Sequence, residues 1–143
     1  MTESNKDPIS QWLTFILNNE IYGIDVQFVQ EVLRPPEISI VPGAPAHILG
    51  IINVRGEFIS VSDIRTLLNL SKVNITDQTR VILIDLNGQK FGILVDSIAE
   101  IIDVRSSEIE SINTGDNSSN ILGTCQKKDN LFILLSINEL LKE

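Results

Sequence analysis

One cysteine, one histidine and a shortage of basic residues limit what this chain can be. Cys125 has no second cysteine to bond, which excludes an internal disulfide and a cysteine-rich metal site. A lone cysteine fits a reducing compartment. Lysine and arginine number 11 against 19 aspartates and glutamates, for a net charge of −8. A nucleic-acid groove needs clustered cations to neutralise phosphate, and an anionic membrane surface needs the same. Both are disfavoured, so no nucleic acid is expected as a partner. No apolar run approaches the roughly 18 residues that span a bilayer, so direct membrane insertion is not expected. The opening "MTESNKDPIS" is polar and has no apolar signal core, so the chain reads as soluble and cytoplasmic. It carries no receiver or kinase segment, and neither a full kinase nor a fused adaptor–receiver is expected. There is no GxGxxG, no P-loop and no metal-spaced cluster of His, Asp and Glu, so no cofactor or metal is expected.

What is present is strand. "WLTFIL", "EIYGIDV", "RVILIDL" and "KFGILV" are short and rich in β-branched or aromatic residues. Asn87-Gly88 is a strong hairpin signal because both residues tolerate positive φ, and Asn18-Asn19 is a weaker one. "GIINVRGEFISV", residues 50–61, reads as two strands around a tight turn carrying Arg55 and Gly56. "RPPEISIVPGAP" is punctuated by prolines that cannot donate to a central ladder, so it reads as edge strand and loop. "SDIRTLL" and "SINELL" read as short helices opened by a capping Asp or Ser. "NTGDNSSN", residues 113–120, reads as a flexible loop.

The strands repeat. Residues 12–33 laid on 81–102 match Asn18 with Asn87, Tyr22 with Phe91, Gly23 with Gly92, Val29 with Ile98 and Glu31 with Glu100. Residues 47–68 laid on 120–141 match "ILG" with "ILG" and "LL" with "LL". The second copy carries a short insertion before its "NILG". Apolar strands match by chance, but the paired glycines and glutamates favour a true repeat. Half of 143 residues cannot build a large core alone. Each copy, about residues 12–70 and 80–141, is therefore expected as a small closed barrel, the two packing together or sharing elements. A groove between them would be the natural binding site. Tyr22, Ile24, Ile51, Val61, Phe91, Ile93, Leu122 and Leu134 are the expected core.

Catalytic groups are few. His47 reads as an exposed loop histidine, and Cys125, at the repeat position of Ile52, as a small core hydrophobe. Asp85 ends "VILID" as a phospho-accepting aspartate would, but a hairpin follows rather than a helix, so it reads as a turn residue. Gly23 and Gly92, inside strands, read as barrel corners, with ligand contact second. Glu31 and Arg55 are isolated charges among apolar residues. Periodicity favours both pointing to solvent. The sharper reading pairs them, since a planar guanidinium can grip a carboxylate through two hydrogen bonds.

"FILNNEIYGIDVQFVQEVLRP", "VPGAPAHILGIINVRGEFISVSDIRTLL" and "FGILVDSIAEII" closely resemble the CheW family, the coupling proteins of bacterial chemosensory arrays. The resemblance covers about residues 12–141. Its most specific piece is "GIINVRGEFISVSDI", where Val54 stands for the family's common Leu and Ser60 for its common Pro. The resemblance implies a mainly β fold: two intertwined five-stranded SH3-like barrels with short helices. It implies a non-enzymatic scaffold at receptor arrays, linking chemoreceptor cytoplasmic tips to the regulatory domain of a CheA-type histidine kinase. Carried over by position, Arg55 matches the family's important arginine and Glu31 its partner, with Asn53 and Gly56 completing the motif. Val29, Gly50 and Ile98 match positions lining the groove where the receptor helix is expected. In the second copy Lys128 stands at the place of Arg55, and Glu100 at that of Glu31. Two other classes stay open: a receiver-type phosphotransfer protein using Asp85, rich in long helices, and an unrelated β-barrel module with a closed apolar pocket.

Overall fold

The structure is a computed structural model describing residues 7–71, 75–112 and 120–141. Among the described residues ten strands form in chain order: β1 Ile9–Leu17, β2 Glu20–Asp25, β3 Val29–Leu33, β4 Ile48–Val54, β5 Glu57–Asp63, β6 Arg80–Leu86, β7 Gln89–Val95, β8 Ser97–Arg105, β9 Ile121–Lys127 and β10 Asn130–Leu135. Two short helices, α1 Ile64–Leu67 and α2 Ile137–Leu140, follow β5 and β10. Asp63 caps α1, its carboxylate accepting from the Arg65 backbone N–H. Ser136 caps α2 by position only, with no side-chain bond. The segment between β3 and β4 makes one bridge, Ser39 to Ile51, and is otherwise loop. Of "NTGDNSSN", residues 113–119 lie outside the described residues.

The strands form two five-stranded sheets, ordered β8-β1-β2-β10-β9 and β3-β6-β7-β5-β4. Two compact units correspond to them, residues 1–27 with 99–143, and residues 28–98. Each unit draws strands from both copies of the repeat. The first joins the β1–β2 hairpin to β8, β9 and β10; the second joins the β6–β7 hairpin to β3, β4 and β5. The hairpin of one copy meets the other copy through parallel pairs, Gly23 beside Leu134 and Gly92 beside Val61.

The repeat extends to single hydrogen bonds. In the second unit Ser39 and Ile51 exchange backbone bonds of 2.9 and 2.8 Å; in the first, Glu110 and Thr124 exchange two of 2.8 Å. These bridges join the chain beyond β3 to β4, and the chain beyond β8 to β9. Each sheet thereby closes on itself, the arrangement that removes open edges. The Asp63 N–H bonds to the His47 carbonyl at 2.7 Å, and the Ser136 N–H to the Asn120 carbonyl at 2.8 Å.

Closure explains Gly50 and Gly123. A Cβ on Gly50 would collide with the Ser39 carbonyl, and one on Gly123 would stand 2.6 Å from the Glu110 carbonyl. Backbone cannot step aside as a side-chain tip can. Gly50→Ala is expected to cost about 1–3 kcal/mol, the range for overpacking. An unchanged urea midpoint would show that the Ser39 segment moves freely. Gly23 and Gly92 carry no bulge. Pairing runs through both without a register shift. Their missing Cβ atoms leave room that neighbours fill: Leu134 and Thr14 over Gly23, Val61 and Val81 over Gly92.

Each unit has its own core. That of the first gathers Trp12, Ile102, Val104, Cys125, Phe132 and Leu134, and that of the second Ile52, Val54, Ile59, Val61, Val81 and Leu83. Of the expected core, Tyr22, Ile24, Val61, Ile93 and Leu134 are buried. Ile51 and Phe91 are only half-buried. Leu122 is 49% exposed. In β4 the inward residues are Gly50, Ile52 and Val54, so Ile51 shares its face with polar Asn53. In β9 they include Gly123 and Cys125, so Leu122 shares its face with Gln126.

Candidate functional site

The hairpin joining β4 to β5 turns through Arg55 and Gly56, at φ 51° and 89°. This is the left-handed pair of a two-residue hairpin turn, whose twist matches the flanking strands. Glycine adopts it freely, and arginine does so at a conformational cost. Asn53 secures the turn: its Oδ1 accepts the Gly56 N–H at 2.8 Å. The turn projects Arg55 so that Nη2 donates to Glu31 Oε1 at 2.6 Å and Nη1 to Oε2 at 3.3 Å. Glu31 comes from β3, where the register shifts between Val29 and Glu31. The two charges that periodicity assigned to solvent therefore form a two-pronged pair at the surface. The Arg55 side chain is 66% exposed and that of Glu31 32%. The hydrogen bonds and charge of Glu31 raise the guanidinium's pKa further above its already high ordinary value. Arg55 is thus a fixed cation with an open face. It cannot act as an acid or base near neutrality.

The first unit carries the counterpart. Lys128 and Asp129 form its turn at φ 52° and 65°. Lys128 Nζ lies 3.9 Å from Glu100 Oε1, a looser contact than the arginine pair. Glu100 is held on β8 by buried Thr14, whose hydroxyl bonds both its backbone N–H and its carbonyl.

The other expected site residues are placed as follows. Val29, at the start of β3, and Ile98, in β8, are half-buried. Gly50 is buried at the closure of the second unit. A Gly50 variant therefore reports on folding as much as on contact. His47 is half-buried rather than exposed, its carbonyl engaged by Asp63. Cys125 is buried with Trp12, Phe132 and Leu134, and burial pushes its thiol pKa up, away from nucleophilic character. Asp85 Oδ1 accepts the Gly88 N–H at 2.8 Å, which makes it a turn residue. Among the described residues no group of three or more His, Cys, Asp or Glu side chains is placed to hold a metal.

Two features were missed in the sequence. Arg65 is buried and bonds Asp96 at 2.9 Å and the Ser71 carbonyl at 2.6 Å, tying α1 to the end of β7. It lies in the helical "SDIRTLL", where one exposed arginine is ordinary, so nothing local marked it. Phe58, cross-strand from Asn53, is 72% exposed. It borders a hollow of about 540 Å³ shared with Pro36, Glu37, Ser39, Ile51 and Asn53. Its signal was available, since alternation along β5 puts Phe58 opposite the inward Ile59.

Comparison with known proteins supplies the family. Residues 11–143 match the family model described as a CheW-like domain. The chain is 33% identical over 132 residues to the chemotaxis protein CheW of Bacillus subtilis, covering 90% of this chain and 85% of that one. It is 28% identical to the chemotaxis protein CheW of Treponema pallidum, covering 91% and 81%. The crystal structure of the scaffolding protein TtCheW from Thermoanaerobacter tengcongensis superposes with a TM-score of 0.87 at 28% identity, covering 95% of this chain and 94% of that one. With the family model spanning nearly the whole chain, and two closed five-stranded sheets matching a solved relative, the chain belongs to the CheW-like domain family.

Proposed function

We propose that this chain is a non-enzymatic adaptor that couples chemoreceptor cytoplasmic tips to the regulatory domain of a CheA-type histidine kinase. It acts as one domain over about residues 12–141, in the cytoplasm at receptor arrays. The observation that carries the reading is the Glu31–Arg55 pair: an exposed, two-pronged ion pair on a secured turn, inside a domain whose relatives are named as chemotaxis proteins. Such a pair presents a rigid charged surface and performs no bond chemistry. Glu31, Asn53, Arg55 and Gly56 form the proposed partner surface. Val29, Gly50 and Ile98 are the positions proposed for the receptor helix.

The test is co-sedimentation. A receptor cytoplasmic-tip fragment should retain a CheA-type kinase only when this chain is present. Equal retention without it would overturn the reading. The kinase contact is expected to be largely apolar, in keeping with exposed Ile40, Phe58 and Leu131. Affinity should then change less than about threefold between low and physiological ionic strength. A steep fall would show that charge steering is the main contribution.

A further inference from the structure

Among the described residues four two-residue turns join antiparallel hairpins, and all four place both central residues at positive φ: Asn18-Asn19, Arg55-Gly56, Asn87-Gly88 and Lys128-Asp129. Two of them carry a long cation at the first central position, where asparagine is the residue suited to the conformation. The two cations differ in what they reach. Arg55 grips Glu31 at 2.6 and 3.3 Å, while Lys128 stays 3.9 Å from Glu100. The turns differ in one further respect. Asn53 precedes the Arg55 turn, and its Oδ1 holds the Gly56 N–H at 2.8 Å. Asp85 does the same for Gly88 at 2.8 Å. At the Lys128 turn that position is Gln126, and no such bond to the Asp129 N–H is made among the described residues.

We propose that Asn53 is a positioning residue: its side chain fixes the turn that carries Arg55, and so holds the guanidinium against Glu31. The physical reason is local. The Gly56 N–H lies at an exposed tip, where water competes for it. A short side-chain amide three residues back closes a small ring around the turn and removes that freedom. Arg55 then leaves the backbone in a defined direction, and both of its terminal nitrogens meet the carboxylate. Glutamine has one more methylene and does not close the same ring without ordering another torsion. The proposal rests on the reading that the Glu31–Arg55 face binds partners, and it adds how that face is kept in register.

The experiment uses the full chain, with Asn53→Ala and with Asn53→Asp, which keeps an acceptor at the same reach as Asp85 keeps one. Nitrogen-15 relaxation follows the Gly56 amide and the Arg55 Nε–H. Binding is read with a receptor tip fragment and a CheA-type regulatory domain. Asn53→Ala is expected to move the Arg55 Nε order parameter from the rigid range, above about 0.8, to below about 0.6. Binding should weaken towards that of Arg55→Ala, and Asn53→Asp should restore both. A rigid Arg55 in Asn53→Ala overturns the proposal, even where Arg55→Glu abolishes binding. A mobile Arg55 with unchanged binding, in Asn53→Ala and in Arg55→Glu alike, supports the positioning role and overturns the partner surface.

Discussion

Arg55→Glu is expected to weaken assembly with kinase and receptor by about thirtyfold or more, the range of a dominant interface residue. The sheet should stay folded. The side chain is mostly exposed, and its charge can change without burying anything. Glutamate at position 55 would face Glu31 directly and lie close to Glu57, which already acts on Arg55 through its charge. Three carboxylates at one turn repel, so the fixed cation is replaced by a mobile anionic patch. Arg55→Lys keeps the charge and loses the two-pronged geometry, so an intermediate defect is expected. Lys128, the ammonium at the matching turn, lies 3.9 Å from Glu100. Affinity measurements on Glu31→Ala, Arg55→Ala and the double variant separate pair from parts. Zero coupling would mean that the two residues act independently. Normal assembly by Arg55→Glu would remove Arg55 from the site altogether.

The second large effect belongs to the core. Ile93→Ala should destabilise the fold by about 2–5 kcal/mol. Ile93 is fully buried on β7, paired with Ile82 on one side and Ser62 on the other. The side chains around it are held by ladders on both sides and cannot collapse into the space left. Leu122→Ala is the matched control, at about 0.5 kcal/mol or less, because Leu122 lies on the outer face of β9. Urea unfolding of the two variants settles the strand phases. Equal losses would mean that β9 is turned over.

Strand faces were the uncertain part of the sequence. In "GIINV" two adjacent isoleucines fit either phase, and only the polar Asn53 two residues on marks Ile51 as the outward one. The register shift between Ile48 and Gly50 removes a simple count from the strand start. "ILG" in β9 poses the same ambiguity, and there Gly123 takes the inward place, where the Glu110 backbone crosses it. The site divides in the same way. Asn53, Arg55 and Gly56 are neighbours in the chain, and their turn was legible as a turn. Glu31 lies 24 residues away, and its contact with Arg55 depends on how β3 and β4 are brought round the sheet.

The sequence by itself determined the hairpins, the Asp63 cap and the repeat. These rest on local preferences: positive φ at Asn-Gly and Arg-Gly, capping by Asp63, period-two alternation and the matched spacing of glycines. Only the tertiary structure decided that each unit takes its hairpin from one copy of the repeat and its other three strands from the other. It also decided that Arg65 is buried, and that Glu31 and Arg55 meet at two points rather than standing apart in water. Those outcomes depend on contacts between residues distant in the chain. The entropy of closing loops and the fit of one sheet edge to another select them, and no local pattern records either.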